Sequence, residues 1–310
     1  MFTRRRFIGS TLGASAVTAA GAQLALPEDA RKRVIVDAQI HLWKAESEDW
    51  KWVPGMKPQL PEPFTVERAL PMMDEAGVDR AVVVPPSWPG DRNDYAIEAA
   101  KRYPNRFAVM GRISLQNRKS AELLASWKSQ PGMLGIRLTF LGPAAKWLED
   151  GTADWFWPVA EKAGLPVMVL APGRGADMAR VAERHPQLQL IVDHMGMSLS
   201  DEAIRAGKFE GAINDTLTLV KYPNVSVKLS GAANFSKEPY PFRNINPHIK
   251  RLFDAFGPQR CYWGTDITNG FNNASYRQRI THFTEALDFL TEDDKDWVMG
   301  RAIMERLKWS

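Results

Sequence analysis

The stretch Val34-Ile35-Val36-Asp37-Ala38-Gln39-Ile40-His41-Leu42-Trp43 decides how the rest of this chain is read. Three consecutive β-branched residues read as a strand buried on both faces. The run then places Asp37, Gln39 and His41 at alternate positions. Alternate strand residues point the same way, so all three are expected to face one interior. In a sheet closed into a barrel, polar side chains at the C-terminal end of such a strand line the mouth, where barrel active sites are built. The competing reading is a half-buried strand whose polar residues satisfy local backbone groups.

Outward from this stretch the pattern is strand, then helix, repeated. Further apolar runs fall at 78–84, 107–113, 134–140, 167–170, 188–192, 225–229 and 261–264, after a first strand at 33–38. A tryptophan-bearing loop at 44–63 leads to a helix over 65–76, which Gly77 suits as a left-handed C-terminal cap. Pro85-Pro86 stops the second strand, Asn93 is placed to cap the next helix, and Gly164 ends another over 153–163. Helical stretches at 274–289 and 293–307 finish the chain. Eight strands separated by helix-sized segments specify an α/β fold, a single-domain (β/α)8 TIM barrel over 33–310. A doubly wound sheet would need a phosphate-binding turn. Gly173-Arg174-Gly175 follows a strand, but Met178 stands where the third glycine would be, which argues against a dinucleotide.

Composition narrows the function. A hydrophobic content of 45% over 310 residues is ample for a large core. The isoelectric point of about 9.1 overstates the basic character of the folded part. Without residues 1–22, which carry Arg4, Arg5 and Arg6 and no acid, 37 basic residues face 36 acidic ones. That is no electrostatic footprint for nucleic acid. The one cysteine, Cys261, excludes an intramolecular disulfide and Cys-based zinc motifs and reads as a core residue. Eleven tryptophans suit an aromatic-walled pocket or ordinary helix packing. The sequence holds no Gly-x-Ser-x-Gly elbow, His-Glu-x-x-His pair or phosphate loop.

The N-terminus reads Thr3-Arg4-Arg5-Arg6-Phe7-Ile8-Gly9, then a weakly apolar run of small residues, then Ala20-Gly21-Ala22. This order matches a twin-arginine signal peptide over 1–22, followed by a tether at 23–32. The run is too short and small-sided for a stable membrane anchor. The expected partner is the twin-arginine export machinery, and the expected location is the periplasm or outside the cell. A homo-oligomer stays open.

At the strand ends the polar residues converge. They are Gln39 and His41 on the first strand, Arg112 on the third and Arg137 on the fourth. Asp193-His194 follow on the sixth, Lys228 on the seventh and Asp266 on the eighth. Singly, each has a bland alternative, a paired structural charge or a satisfied core histidine. Together they mark one mouth.

Five pieces carry a resemblance that spans the chain after its leader. They are Val36-Asp37-Ala38-Gln39-Ile40-His41-Leu42-Trp43, Gly135-Ile136-Arg137-Leu138, Val192-Asp193-His194-Met195-Gly196, Val227-Lys228-Leu229-Ser230-Gly231 and Trp263-Gly264-Thr265-Asp266. In these the chain resembles the amidohydrolase superfamily, in particular the amidohydrolase-2 group of lactonases and decarboxylases. The resemblance implies hydrolysis or decarboxylation of small carboxylated molecules at the barrel mouth. It also implies His-x-His on the first strand, where Gln39 replaces the first histidine. Metal-binding members carry a further histidine after strand five, where this chain has Leu170-Ala171-Pro172. His41, His194 and Asp266 remain as an alternative ligand set for one zinc or manganese ion, the minimum for a catalytic site.

Without a metal, the resemblance to metal-independent lactonases casts Asp266 as the base that deprotonates water. Burial is then expected to raise its pKa toward the working pH. His41 and His194 would polarise the ester carbonyl and stabilise its oxyanion. Arg112 and Arg137 would clamp a substrate carboxylate, Lys228 would add positive potential, and Gln39 and Trp43 would contact substrate. The expected substrate is a small carboxylated lactone, sugar-derived or from ring cleavage. A metal-dependent decarboxylase of an aromatic or unsaturated acid, and a degenerate periplasmic binding protein, are the rivals.

Overall fold

Eight parallel strands are laid down in chain order around one axis in the computed structural model, which describes residues 33–310. The leader and tether read at 1–32 lie outside the described residues. The strands are β1 (Val36–Ile40), β2 (Arg80–Val83), β3 (Phe107–Gly111), β4 (Met133–Thr139), β5 (Val167–Leu170), β6 (Leu190–Val192), β7 (Val225–Lys228) and β8 (Cys261–Tyr262). Each pairs with the next, from Val36 opposite Arg80 to Val227 opposite Cys261. The ring returns to β1 through Ala38 N–H donating to Trp263 O at 3.2 Å and Asp266 N–H donating to Gln39 O at 3.0 Å. Helices fill the intervals, as expected of a (β/α)8 barrel.

The interior is apolar. Val36, Ala38, Val82, Val84, Met110, Met168, Ile191 and Tyr262 form one buried cluster with Ala302, Ile303 and Leu307 of the last helix, Ala302–Leu307. Just before that helix, Gly300 lies against the backbone entering β1; a Cβ there would sit 2.4 Å from Val34 O. The C-terminal helices therefore cover the end of the barrel opposite the mouth.

Two local features position the mouth. The first is an irregularity in β1. Asp37 pairs with Ala81 and Ile40 with Val83, so three steps on β1 match two on β2. This bulge breaks the two-residue alternation. Ala38 joins the interior cluster and Gln39 reaches inward to Lys228. The expectation that Asp37 shares an interior with Gln39 and His41 is thereby corrected. Asp37 instead fastens β8 to β1, accepting from Thr265 N (2.8 Å), Gln39 N (3.0 Å), Tyr276 OH (2.7 Å) and the Thr265 hydroxyl. Burial pushes its carboxyl above the usual value against the pull of these donors.

The second feature is Gly264. A Cβ there would lie 3.2 Å from the backbone nitrogens of Ala38 and Gln39, a tight approach that glycine lets the chain leaving β8 make to β1 without displacing it. The chain then delivers Thr265 and Asp266 to the mouth.

Gly77 caps the helix Val66–Ala76 in the left-handed conformation (φ 82°), as its sequence suggests. Asn93 makes no cap with its side chain. Its amide instead brackets Arg112, accepting from Arg112 N at 2.7 Å and donating to Arg112 O at 2.9 Å. Local caps and long-range ties compete for the same short amide, and here the tie to β3 prevails.

Candidate active site

His41 leaves β1 with its ring fixed from behind. Nδ1 donates to Val84 O at 2.7 Å, and Nε2 lies 3.1 Å from Asp266 Oδ1. His194 follows β6 and Asp266 follows β8, and both adopt left-handed backbone (φ 52° and 46°), as does Met195 (φ 59°). That region costs a non-glycine residue about 1–2 kcal/mol, and residues so held cluster at functional sites. Gly196 permits the turn after His194, because a Cβ would lie 2.1 Å from Thr216 Oγ1.

Beneath these groups lies a buried charge cluster. Asp193 pairs with Lys228 Nζ at 2.7 Å and with Arg137 Nε at 3.0 Å. Lys228 is fully buried and also contacts Gln39 Oε1. From the other end of the same amide, Gln39 Nε2 lies 3.1 Å from His194 Nε2 and 3.4 Å from both Asp266 Oδ1 and His41 Nε2.

Four residues not singled out in the sequence complete the frame. Asn269 Nδ2 donates to both Asp266 oxygens at 2.9 and 2.8 Å, and Asn234 Nδ2 donates to Asp266 O at 3.0 Å. Arg279 donates to Asn234 Oδ1 at 2.7 Å, and Ser230 Oγ lies 2.9 Å from His194 Nδ1. Thr268-Asn269-Gly270 reads as an ordinary turn, and Arg279 as a polar residue in a helical stretch. The one available signal was that Ser230 and Asn234 follow a strand end already suspected.

The electrostatics correct one expectation. Burial alone would raise the Asp266 carboxyl, but the imidazoles of His194 and His41 and the Asn269 amide outweigh it. Its pKa lies well below the usual carboxylate range. Asp193 is likewise pushed up by burial but held down to about 2 by Lys228 and Arg137. Burial lowers the pKa of His194 despite the neighbouring Asp266 and Asp193.

These side chains open on a cavity of about 270 Å3 lined by Gln39, His41, Arg137, His194 and Asp266. Its walls include Trp88 and Phe235 and the hydroxyls of Ser87, Thr139, Ser198 and Ser200. A larger cavity of about 620 Å3, among Leu165, Arg260 and Lys308, touches none of these groups. Three sequence candidates stand off the cavity wall. Lys228 is sealed beneath it. Trp43 is fully buried behind Trp88, edge-on at 5.1 Å. Arg112 lies 3.6 Å from Asp91, and its Nε and Nη1 have no hydrogen-bond partner among the described residues. The structure therefore does not assemble a two-arginine clamp at the cavity.

Among the described residues no group of three or more His, Cys, Asp or Glu side chains is arranged to hold a metal ion. The Gln39 amide nitrogen lies 3.1–3.4 Å from His41, His194 and Asp266, with its hydrogens available to the would-be ligands.

Comparison with known proteins adds a family and several distant relatives. The amidohydrolase family model matches residues 36–303. An L-fucono-1,5-lactonase of Burkholderia ambifaria is 27% identical over 241 residues, covering 74% of this chain and 79% of the relative. A 4-sulfomuconolactone hydrolase of Hydrogenophaga intermedia is 25% identical over 207 residues, 64% of either chain. Among solved structures, an amidohydrolase from Burkholderia multivorans with bound zinc superposes with a TM-score of 0.75 at 20% identity, covering 89% of this chain and 99% of that one. A probable 2-pyrone-4,6-dicarboxylic acid hydrolase from Acinetobacter baumannii with citric acid bound gives 0.72 at 19% identity, with the same coverage. At such identity the superpositions speak for the fold alone.

Proposed function

Because this chain belongs to the amidohydrolase family and is a hydrolase of that family, we propose that it opens a small lactone with water held at Asp266. The observation that carries this reading is the contact of Asp266 with His41 at 3.1 Å on the wall of a cavity sized for a single small ring. The two lactone-cleaving relatives support the ester as the bond attacked. Of the two lactone classes expected, the sugar-derived one suits the lining better. Hydroxyls and amides dominate its polar groups, and among the described residues Arg137 is the one lysine or arginine on the wall. Arg137 is itself engaged by Asp193 and Thr139, so it offers one partly committed guanidinium to a substrate carboxylate or hydroxyl.

In this reading the water oxygen attacks the carbonyl carbon while its proton passes to Asp266. His41 stabilises the oxyanion through its Nε2–H. A carboxylate held this far down is a weak base, so the proton transfer depends on His41. As its Nε2 proton is drawn to the oxyanion, the hydrogen bond from His41 that helps hold Asp266 down is lost and the carboxylate gains basicity. Collapse breaks the ring C–O bond, and the alkoxide takes the proton back from Asp266 to give a hydroxy acid. No step requires a resident metal; the Gln39 amide at the centre of the site supports that choice. The arginine run and small-residue site in the first 22 residues support export by the twin-arginine route to the periplasm or beyond.

A pH-stat assay with chelator present tests the reading. Proton release with a sugar lactone is expected. Silence across sugar-derived and unsaturated lactones would reject it, and proton uptake with a carboxylated aromatic would replace it by decarboxylation.

A further inference from the structure

The Gln39 amide is bound at both ends by chemically different neighbours. Lysine ammonium donates and cannot accept, so the Lys228 contact fixes which end of the amide carries oxygen. Lys228 is fixed in turn by Asp193 at 2.7 Å and by Met168 Sδ at 3.4 Å. With the oxygen turned down, the NH2 group must point up, into the space between His194, Asp266 and His41. Its two hydrogens can meet His194 Nε2 at 3.1 Å and Asp266 Oδ1 at 3.4 Å. That geometry needs a bare Nε2 on His194, which places the ring proton on Nδ1, toward Ser230 Oγ at 2.9 Å.

We propose that Gln39 and Lys228 form one unit that stands in for a cation, holding His194 and Asp266 in place through the amide and refusing a divalent ion. An ion would need the lone pairs of these same side chains at about 2.0–2.2 Å. The amide nitrogen already lies within 3.4 Å of all three and spends its hydrogens on them, and the buried ammonium behind it repels a second positive charge. The unit also supplies part of what an ion would. Lys228 polarises the amide through its oxygen, making its N–H groups stronger donors, and brings one positive charge to the floor of the site. Gln39 and Lys228 are thus positioning residues. The inference rests on the hydrogen bonds of the resting site, so it stands or falls apart from the identity of the substrate.

The test uses the full chain without substrate. After stripping with chelator and equilibration with micromolar zinc, metal is counted by mass spectrometry, and the histidine rings are labelled with 15N to find their protons by two-bond NMR correlations. The expected results are less than about one-tenth equivalent of zinc and the His194 proton on Nδ1. About one equivalent of zinc, lost on His194→Asn, would overturn the inference. So would a His194 proton on Nε2. Both readouts come from the unaltered chain. In Gln39→Met, which keeps the length and removes the N–H groups, the His194 proton is expected to distribute between both nitrogens. kcat on whichever ester proves to be the substrate should then fall by about tenfold or more with KM nearly constant. An unchanged ring spectrum in that variant would also overturn the proposal.

Discussion

Asp266 and His41 meet at 3.1 Å, while the far nitrogen of the same ring is committed to the Val84 carbonyl at 2.7 Å. A carbonyl only accepts, so Nδ1 carries a proton, and Nε2 donates to Asp266 only when the ring holds both. Asp266→Asn keeps the shape and removes the acceptor of the water proton. We expect kcat to fall by about 10²–10⁴-fold with substrate binding retained, measured by pH-stat rates alongside calorimetric binding. Unchanged turnover would take Asp266 out of the mechanism.

The buried pair of Asp193 and Lys228 gives a stability test. Lys228→Met strands Asp193 with Arg137 alone and should cost about 3–5 kcal/mol in urea unfolding. In the double variant with Asp193→Asn, the loss should fall short of the sum of the single losses by about 1–3 kcal/mol. Strict additivity would mean the two charges do not communicate.

His282 ties acid stability to a site remote from the mouth. Its Nε2 donates to Asn246 Oδ1 at 2.7 Å, and burial lowers its pKa to about 4. A histidine whose folded pKa is depressed lends stability that is fully present above the unfolded value of about 6.5. Between there and about 4 the unfolded chain binds the extra proton, so stability falls with falling pH, by about 3 kcal/mol in all. His282→Gln should flatten this slope in unfolding curves taken from pH 7 to pH 4. An equal slope in both proteins would assign the loss elsewhere.

Tyr276 donates to a carboxylate that burial already disfavours. Tyr276→Phe, which leaves Asp37 to Thr265 and Gln39 alone, should lower unfolding stability by about 1–3 kcal/mol. No measurable loss would show that Asp37 is satisfied without it.

Arg112 and Arg137 should separate in kinetics. Arg112 lies off the cavity wall, so Arg112→Gln is expected to leave KM within about twofold, while Arg137→Gln raises it several-fold. Equal effects would return Arg112 to the substrate.

Where neighbours in sequence are neighbours in space, the sequence was legible. The run Val167–Leu170 is uniformly apolar between a glycine-proline boundary and a proline-glycine turn, and it pairs over just those residues. The sequence carries β8 to Gly264, whereas its regular pairing with β7 ends at Tyr262, and Trp263 bonds Ala38 of β1 instead. Asp37 departs from the alternation its sequence suggests because a one-residue bulge reverses the facing of everything after it, and a bulge leaves no mark in composition. Asp266 was expected to be a strengthened base. Burial can be guessed from an apolar run, whereas the imidazoles and the Asn269 amide that outweigh it are brought there by the fold.

The left-handed backbone at His194, Met195 and Asp266 also limits what descendants of this gene can become. β-Branched residues are close to barred from such dihedrals, whereas asparagine and aspartate enter them at lower cost than other side chains and glycine at almost none. Position 266 can therefore drift to asparagine or glycine with its loop intact but not readily to valine, isoleucine or threonine. Lineages that abandon the chemistry should carry asparagine or glycine there, recording the lost activity in a loop that still keeps its shape.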